Sequence, residues 1–307
     1  MATLPWLWAV ITLIAGAAQT VRNAAQRQLT GELGTVGATH VRFLFGLPFA
    51  LVFLGMIVLG LGSALPRPGF AYFVWASAGA LAQIVATAMM LAAMGERSFV
   101  VTIAYTKTEP VQVALFGLVF LGDRLTVPML VAILVATGGV MVMSLRPEHF
   151  PAKWTPVRRG GGVRPTLLGL LAGSFFALSA VGIRGAIIDL AVADHLLAAS
   201  FTLCVVLALQ AIALSLYLLV RDCAVLVAIV RAWRRSLLAG FMGAFASQCW
   251  FLAFALTTAA NVRTLALVEV LYAQAVSRYA FGQRTTPREA LGLVLIVAGV
   301  ALLLALQ

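Results

Sequence analysis

The stretch EPVQVALFGLVFLGDRLT, Glu109 to Thr126, decides how the rest of the chain is read. It sets a carboxylate and a proline at the head of an apolar run and closes the run with a Gly-Asp-Arg turn. A carboxylate in hydrocarbon is costly unless it faces a partner or a cavity, and a proline inside a span frees a backbone carbonyl and bends the helix. About 160 positions later the chain reads EVLYAQAVSRYAFGQRTT, Glu269 to Thr286, which returns the acid and repeats Gly122 as Gly282, Arg124 as Arg284 and Thr126 as Thr286. The same register carries Gly139 onto Gly299. Earlier in the halves Ala15-Gly16 falls on Ala172-Gly173 and Arg27 on Arg184 in a second register, and Gln83 falls on Gln248 in a third.

Composition says what is duplicated. The chain has 307 residues, 63% apolar and 10% charged, where soluble domains run at roughly 45–50% and about 25%. A soluble domain and a disordered chain are both excluded, and the alternating segments of an outer-membrane barrel are missing. The expected fold class is an all-α polytopic membrane protein with ten transmembrane helices arranged as two inverted five-helix repeats. A spanning helix needs about 20 residues. The expected spans are Pro5–Val21, Val36–Gly60, Phe70–Met94, Phe99–Leu121 and Val127–Leu145, then Thr166–Ile188, Leu196–Val220, Ser236–Thr258, Val262–Phe281 and Pro287–Leu306. Ala224–Val230 is too short to cross and reads as an interfacial turn. Residues 1–146 form the first repeat, the Pro- and Gly-rich stretch 147–164 the central linker, and 165–307 the second repeat. An odd number of spans per half inverts the second half. Met1 to Pro5 carries no basic n-region, so no cleaved signal peptide is expected.

The net charge of +11 sits mostly between apolar runs and reads as topology, not as a nucleic-acid footprint. Alternate loops collect Arg27, Arg97, Arg158, Arg159, Arg164 and the Arg231, Arg234, Arg235 cluster, against Arg67, Arg124, Arg184 and Arg263 on the other side. Positive-inside bias therefore places both termini outside the cytoplasm. Cys204, Cys223 and Cys249 are scattered, so no disulfide framework and no zinc site is indicated, and no other metal or cofactor is expected.

Ionisable residues within the spans are functional candidates by default. Arg22, Arg42 and Arg278 stand near span ends and read as snorkelling to the interface, and His40 as a solvated or hydrogen-bonded structural residue. Lys107, Glu109 and Glu269 lie deeper. The two glutamates are either braces to an arginine such as Arg27 or Arg184, which makes these four the candidate gating or coupling residues, or direct ligands of solute or proton. Candidate substrate-binding residues are Gln19, Tyr72, Trp75, Gln83, Tyr105 and Lys107 in the first half. Ser174, Ser179, Gln248, Trp250 and Tyr272 are their counterparts in the second. Any single Ser or Gln among them also suits a helix–helix hydrogen bond. Trp6 and Trp8 read as an interfacial anchor.

Glu109 to Phe116, followed by Phe120 to Thr126 and the Gly138-Gly139-Val140 run, resembles the fourth-to-fifth span signature of the drug/metabolite transporter superfamily in its EamA branch. The second copy is degraded, with Gln283 where the family usually has an acid. Overall the chain looks most like the YddG-type exporters of amino acids. The resemblance implies a bacterial inner-membrane secondary transporter that exports small organic solutes, above all amino acids including aromatic ones, by alternating access. No catalytic residue, cofactor, nucleic acid or protein partner is implied, and both termini would be cytoplasmic, against the charge count. A sugar-phosphate or nucleotide-sugar carrier would call for more basic residues than Lys107 aimed at phosphate. A membrane enzyme would need a catalytic cluster, and His40, His149 and His195 are scattered. An ion channel would need a filter motif, and none is visible.

Overall fold

The computed structural model describes residues 6–96, 105–144, 163–272, 274 and 286–306, and their regular structure is entirely helical. The helices are α1 (Leu7–Leu61), α2 (Phe70–Glu96), α3 (Glu109–Phe116), α4 (Val127–Ser144), α5 (Val163–Asp189), α6 (His195–Arg221), α7 (Cys223–Arg231), α8 (Trp233–Leu256), α9 (Ala259–Leu265) and α10 (Pro287–Ala305). Among the described residues six helices are long and apolar enough to cross a membrane, namely Leu7–Leu61, Phe70–Ala93, Leu167–Asp189, His195–Arg221, Trp233–Leu256 and Pro287–Ala305. Shorter apolar helices occupy Glu109–Leu121 and Val127–Met143. This is a multi-pass membrane protein.

The expected gap between the first two spans is itself helical. Residues 22–33 continue α1, and the break comes only at Gly34, whose φ of 68° and ψ of 177° suit glycine. Across that break the Gln26 side-chain amide donates to the Ala38 carbonyl at 3.0 Å. Twelve residues of straight helix would span about 18 Å, so the chain bends sharply at Gly34. At the other end of the linker α5 already starts at Val163, with Pro165 in its first turn, where a missing N–H costs little. Most of the expected linker, the second turn at Gly282, Gln283 and Arg284, and Arg278 lie outside the described residues. Trp8 is no interfacial anchor. It is 5% exposed and packs in the core, whereas Trp6 is 53% exposed.

Three helix pairs carry most of the packing: α1 with α8, α2 with α5, and α4 with α10. Each closes over glycine, which lets helix backbones touch where hydrocarbon supplies no hydrophobic drive. A Cβ on Gly182 would stand 2.9 Å from the Gly79 amide nitrogen, and one on Gly240 would stand 2.5 Å from Phe45 Cβ. On Gly139 it would stand 2.7 Å from the Gly292 carbonyl and 2.8 Å from Ile296 N, and on Gly299 2.7 Å from the Ala132 carbonyl and 2.6 Å from Ala136 N. Gly292 and Ile296 are Ala132 and Ala136 moved on by about 160 positions, so the two sets of contacts are one set with the halves exchanged. Polar ties add to this packing: the Gln210 amide of α6 donates to Gln83 Oε1 of α2 at 2.8 Å, and His40 Nε2 lies 3.0 Å from Ser215 Oγ.

Two expected spans are interrupted. Before α3 the chain turns at Lys107 and Thr108 and then restarts on Glu109 with Pro110 in the first turn. The helix ends in a π turn, Gly117–Leu121, and a left-handed Gly122 at φ 67°. After α9 a 3₁₀ turn, Ala266–Val268, precedes helical residues that begin at Glu269. In both places the helix resumes on a glutamate.

Candidate functional site

The two interruptions face one buried chamber, lined by both segments of α1, by α2, α5, α8 and α9, and by the residues around Lys107 and Glu269. Its volume is about 40 Å³. That holds a few waters, whereas sites for drug-sized ligands start at roughly 300 Å³.

Two ion pairs cross the chamber, and each joins the interrupted segment of one half to that of the other. Lys107 Nζ stands 2.7 Å from Glu269 Oε2, with the side chains 12% and 11% exposed. Arg263 Nε stands 3.0 Å from Glu109 Oε1, at 10% and 9%. The second contact is not aligned as a hydrogen bond, so it acts through charge alone. The Arg263 guanidinium instead lies over the rings of Trp250 at 4.6 Å and Phe254 at 5.3 Å, a cation–π arrangement. Gln19 links the two pairs: its amide donates to Glu269 Oε1 at 3.3 Å, and its carbonyl accepts from Trp250 Nε1 at 3.1 Å. Small residues make the room. A Cβ on Gly16 would stand 2.8 Å from Glu269 Cγ, and one on Gly173 would stand 3.1 Å from the Thr106 carbonyl.

Of the residues singled out from sequence, Gln19, Gln83, Lys107, Trp250, Glu109 and Glu269 meet at this chamber. Others serve packing. Tyr72 is fully buried against Phe73 and Phe201, and Trp75 lies on Gly185, 2.7 Å from the point a Cβ would take. Tyr105 is half-buried and its carbonyl accepts from the Thr108 hydroxyl at 2.8 Å. The Ser174 hydroxyl donates to the Leu170 carbonyl of its own helix at 3.2 Å, Ser179 is buried off the chamber, and Tyr272 is 38% exposed. Gln248, aligned with Gln83 by the repeat, donates to Ser200 Oγ at 2.8 Å and does not line the chamber.

The expected arginine partners of the glutamates are corrected. Arg184 pairs with Asp123 at 2.7 Å and donates to the Thr257 carbonyl at 3.0 Å, and Arg27 is exposed, away from the chamber. Arg263, counted as a loop residue, is the real partner of Glu109. Arg22 and Arg42 do not snorkel: each is 2% exposed and lines the chamber. The signal was available in part, because Arg22, Arg42 and Arg263 all interrupt or abut apolar runs.

No family model and no curated protein matches the chain. A solved structure described only as "Crystal structure of protein" matches 97% of this chain and 99% of its own, with a TM-score of 0.64 at 17% identity. At that identity the likeness is one of fold, and it extends over nearly the whole of both chains.

Proposed function

We propose that the protein is a secondary transporter of small organic solutes, an exporter of amino acids including aromatic ones in a bacterial inner membrane. It works by alternating access between two inverted five-helix repeats, like members of the drug/metabolite transporter superfamily. The observation that carries this reading is the buried chamber where two interrupted spans, one from each half, are tied across by Lys107–Glu269 and Arg263–Glu109. Irregular backbone at membrane depth is tolerated where it lines a cavity, and repeat-built transporters place their sites at such breaks. The repeat is supported by exchanged contacts: Gly139 and Gly299 meet matching partners, and Gly16 and Gly173 each back onto the other half's interruption. Thr126 and Thr286 likewise each accept from the amide three residues on. Counting α1 as two spans, together with the interrupted fourth and ninth, accommodates ten.

The small volume belongs to a closed state, with solute entering when the ion pairs part on one side. The rings of Trp250, Phe251 and Phe254 offer π faces to an aromatic solute. Uptake of an amino-acid panel into proteoliposomes, with and without a pH gradient, tests the proposal. Tryptophan or phenylalanine should accumulate or exchange, and cells overproducing the protein should resist toxic aromatic analogues. Uptake of sugar phosphates with every amino acid ignored would favour the second reading, a phosphate-solute carrier, which the four cations around the chamber also suit.

A further inference from the structure

We infer that Arg22 and Arg42 form a receptor for the anionic group of the solute, a carboxylate or a phosphate, and that a solute without such a group is not carried. This rests on the transporter reading. Both guanidinium groups are buried, each residue 2% exposed, on the chamber wall. They arise from opposite segments of the bent α1 yet converge: a Cβ on Gly243 would stand 3.1 Å from Arg42 Cγ and 3.5 Å from Arg22 Cδ. Among the described residues neither makes an ion pair with an acid. Arg22 donates to Asn23 Oδ1 at 3.2 and 2.7 Å, and Arg42 donates to Ser247 Oγ at 3.3 Å. Arg22 Nη1 and Arg42 Nε have no acceptor at all among the described residues.

Charge around the chamber is therefore unbalanced. Among the described residues four cations, Arg22, Arg42, Lys107 and Arg263, face two acids, and Lys107 and Arg263 stand at ion-pair distance from those acids. The remaining acids whose side chains are described lie elsewhere. Asp123 is on Arg184, Glu32 on Arg235, Asp194 and Glu289 cap α6 and α10, and Asp189 and Asp222 are exposed. Two neighbouring buried cations with free N–H groups are unfavourable unless an anion joins them. The planar fork of arginine fits a carboxylate or phosphate through two parallel hydrogen bonds, so one anionic group bridging the pair satisfies both charge and geometry. Trp250 and Phe254 line the same chamber, with the Arg263 guanidinium over their rings.

The test is binding to the purified full-length protein in nanodiscs, read by thermal shift with L-tryptophan, L-glutamate, glucose 6-phosphate and tryptamine. At least one of the three anion-bearing probes should stabilise the protein, and tryptamine should not. Affinity for the best probe should fall at least tenfold in Arg42→Gln and recover in part in Arg42→Lys. Tryptamine binding as tightly as tryptophan to the unsubstituted protein overturns the receptor, as does the absence of binding by all three anions, and neither result depends on a variant folding. Proteoliposome uptake separates the underlying reading. Binding without uptake of any probe keeps the receptor and refutes transport, and uptake of the phosphate alone keeps the receptor and redirects the substrate class.

Discussion

At the residue scale the Lys107–Glu269 contact sets the energetic stakes. Removing one member of a buried pair leaves an uncompensated charge and costs about 3–5 kcal/mol, whereas removing both costs much less. Glu269→Gln should therefore lower the melting temperature in detergent more than Lys107→Met combined with Glu269→Gln does. Strictly additive losses would show that the pair is not coupled. Glu109→Gln is the complementary case, because Arg263 keeps its place over Trp250 and Phe254. It still leaves the Arg263 charge without its carboxylate, so the melting temperature should fall, by less than in Glu269→Gln, and on the transporter reading transport should drop at least tenfold. If Glu109→Gln and Glu269→Gln both transport at the normal rate, the glutamates have no part in the mechanism. These acids were legible in the sequence because the repeat doubles them. Arg22 is legible as a candidate but not in its depth, because the first apolar run ends at Val21, whereas the helix runs on to Gly34 and puts Arg22 in mid-element. Distance along the chain from an apolar run is a poor measure of depth when the helix does not stop where the apolar run does.

At the scale of the element, Gly34 and Gly31 make a matched pair on α1. Gly34 holds φ 68° and ψ 177°, a region open essentially to glycine, so Gly34→Ala should destabilise by about 1–3 kcal/mol. Gly31 sits in regular helix with nothing within 4 Å of its Cβ position, so Gly31→Ala should be neutral or stabilising by about 0.5–1 kcal/mol. Thermal unfolding of the two variants checks both signs, and equal effects would mean that the bend does not depend on residue 34. Hydropathy located the six long apolar helices well, since crossing hydrocarbon requires a sustained apolar run. It missed helical residues 22–33 because polar side chains that face protein or a cavity look, by composition, like a loop. Pro110 signalled the interruption before α3, while Ala266-Leu267-Val268 carries no breaker and gave no warning of the 3₁₀ turn.

Over the whole molecule two measurements decide how the helices are set and what holds them. Alkaline-phosphatase fusions at the central linker and at the C-terminus should be inactive at the linker and active at the C-terminus if the basic loops face the cytoplasm. An active linker fusion would instead agree with cytoplasmic termini. The α4–α10 crossing can be tested by Gly292→Leu, because a Cβ there would meet the Gly139 carbonyl at 2.6 Å and Met143 N at 2.9 Å, backbone atoms that cannot step aside. The variant should fold in lower yield and melt earlier. The crossing also sets a fixed spacing. Backbone pressed on backbone has almost no play along the line between the helix axes, and the side chains of Met143 and Ile296 flank the contact. No residue of α4 or α10 lines the chamber. On the transporter reading a solute therefore never touches this contact, and Gly299→Ala, whose Cβ would stand 2.6 Å from Ala136 N, should lower folding yield and slow every transported solute by one common factor while leaving the order of preference among them unchanged.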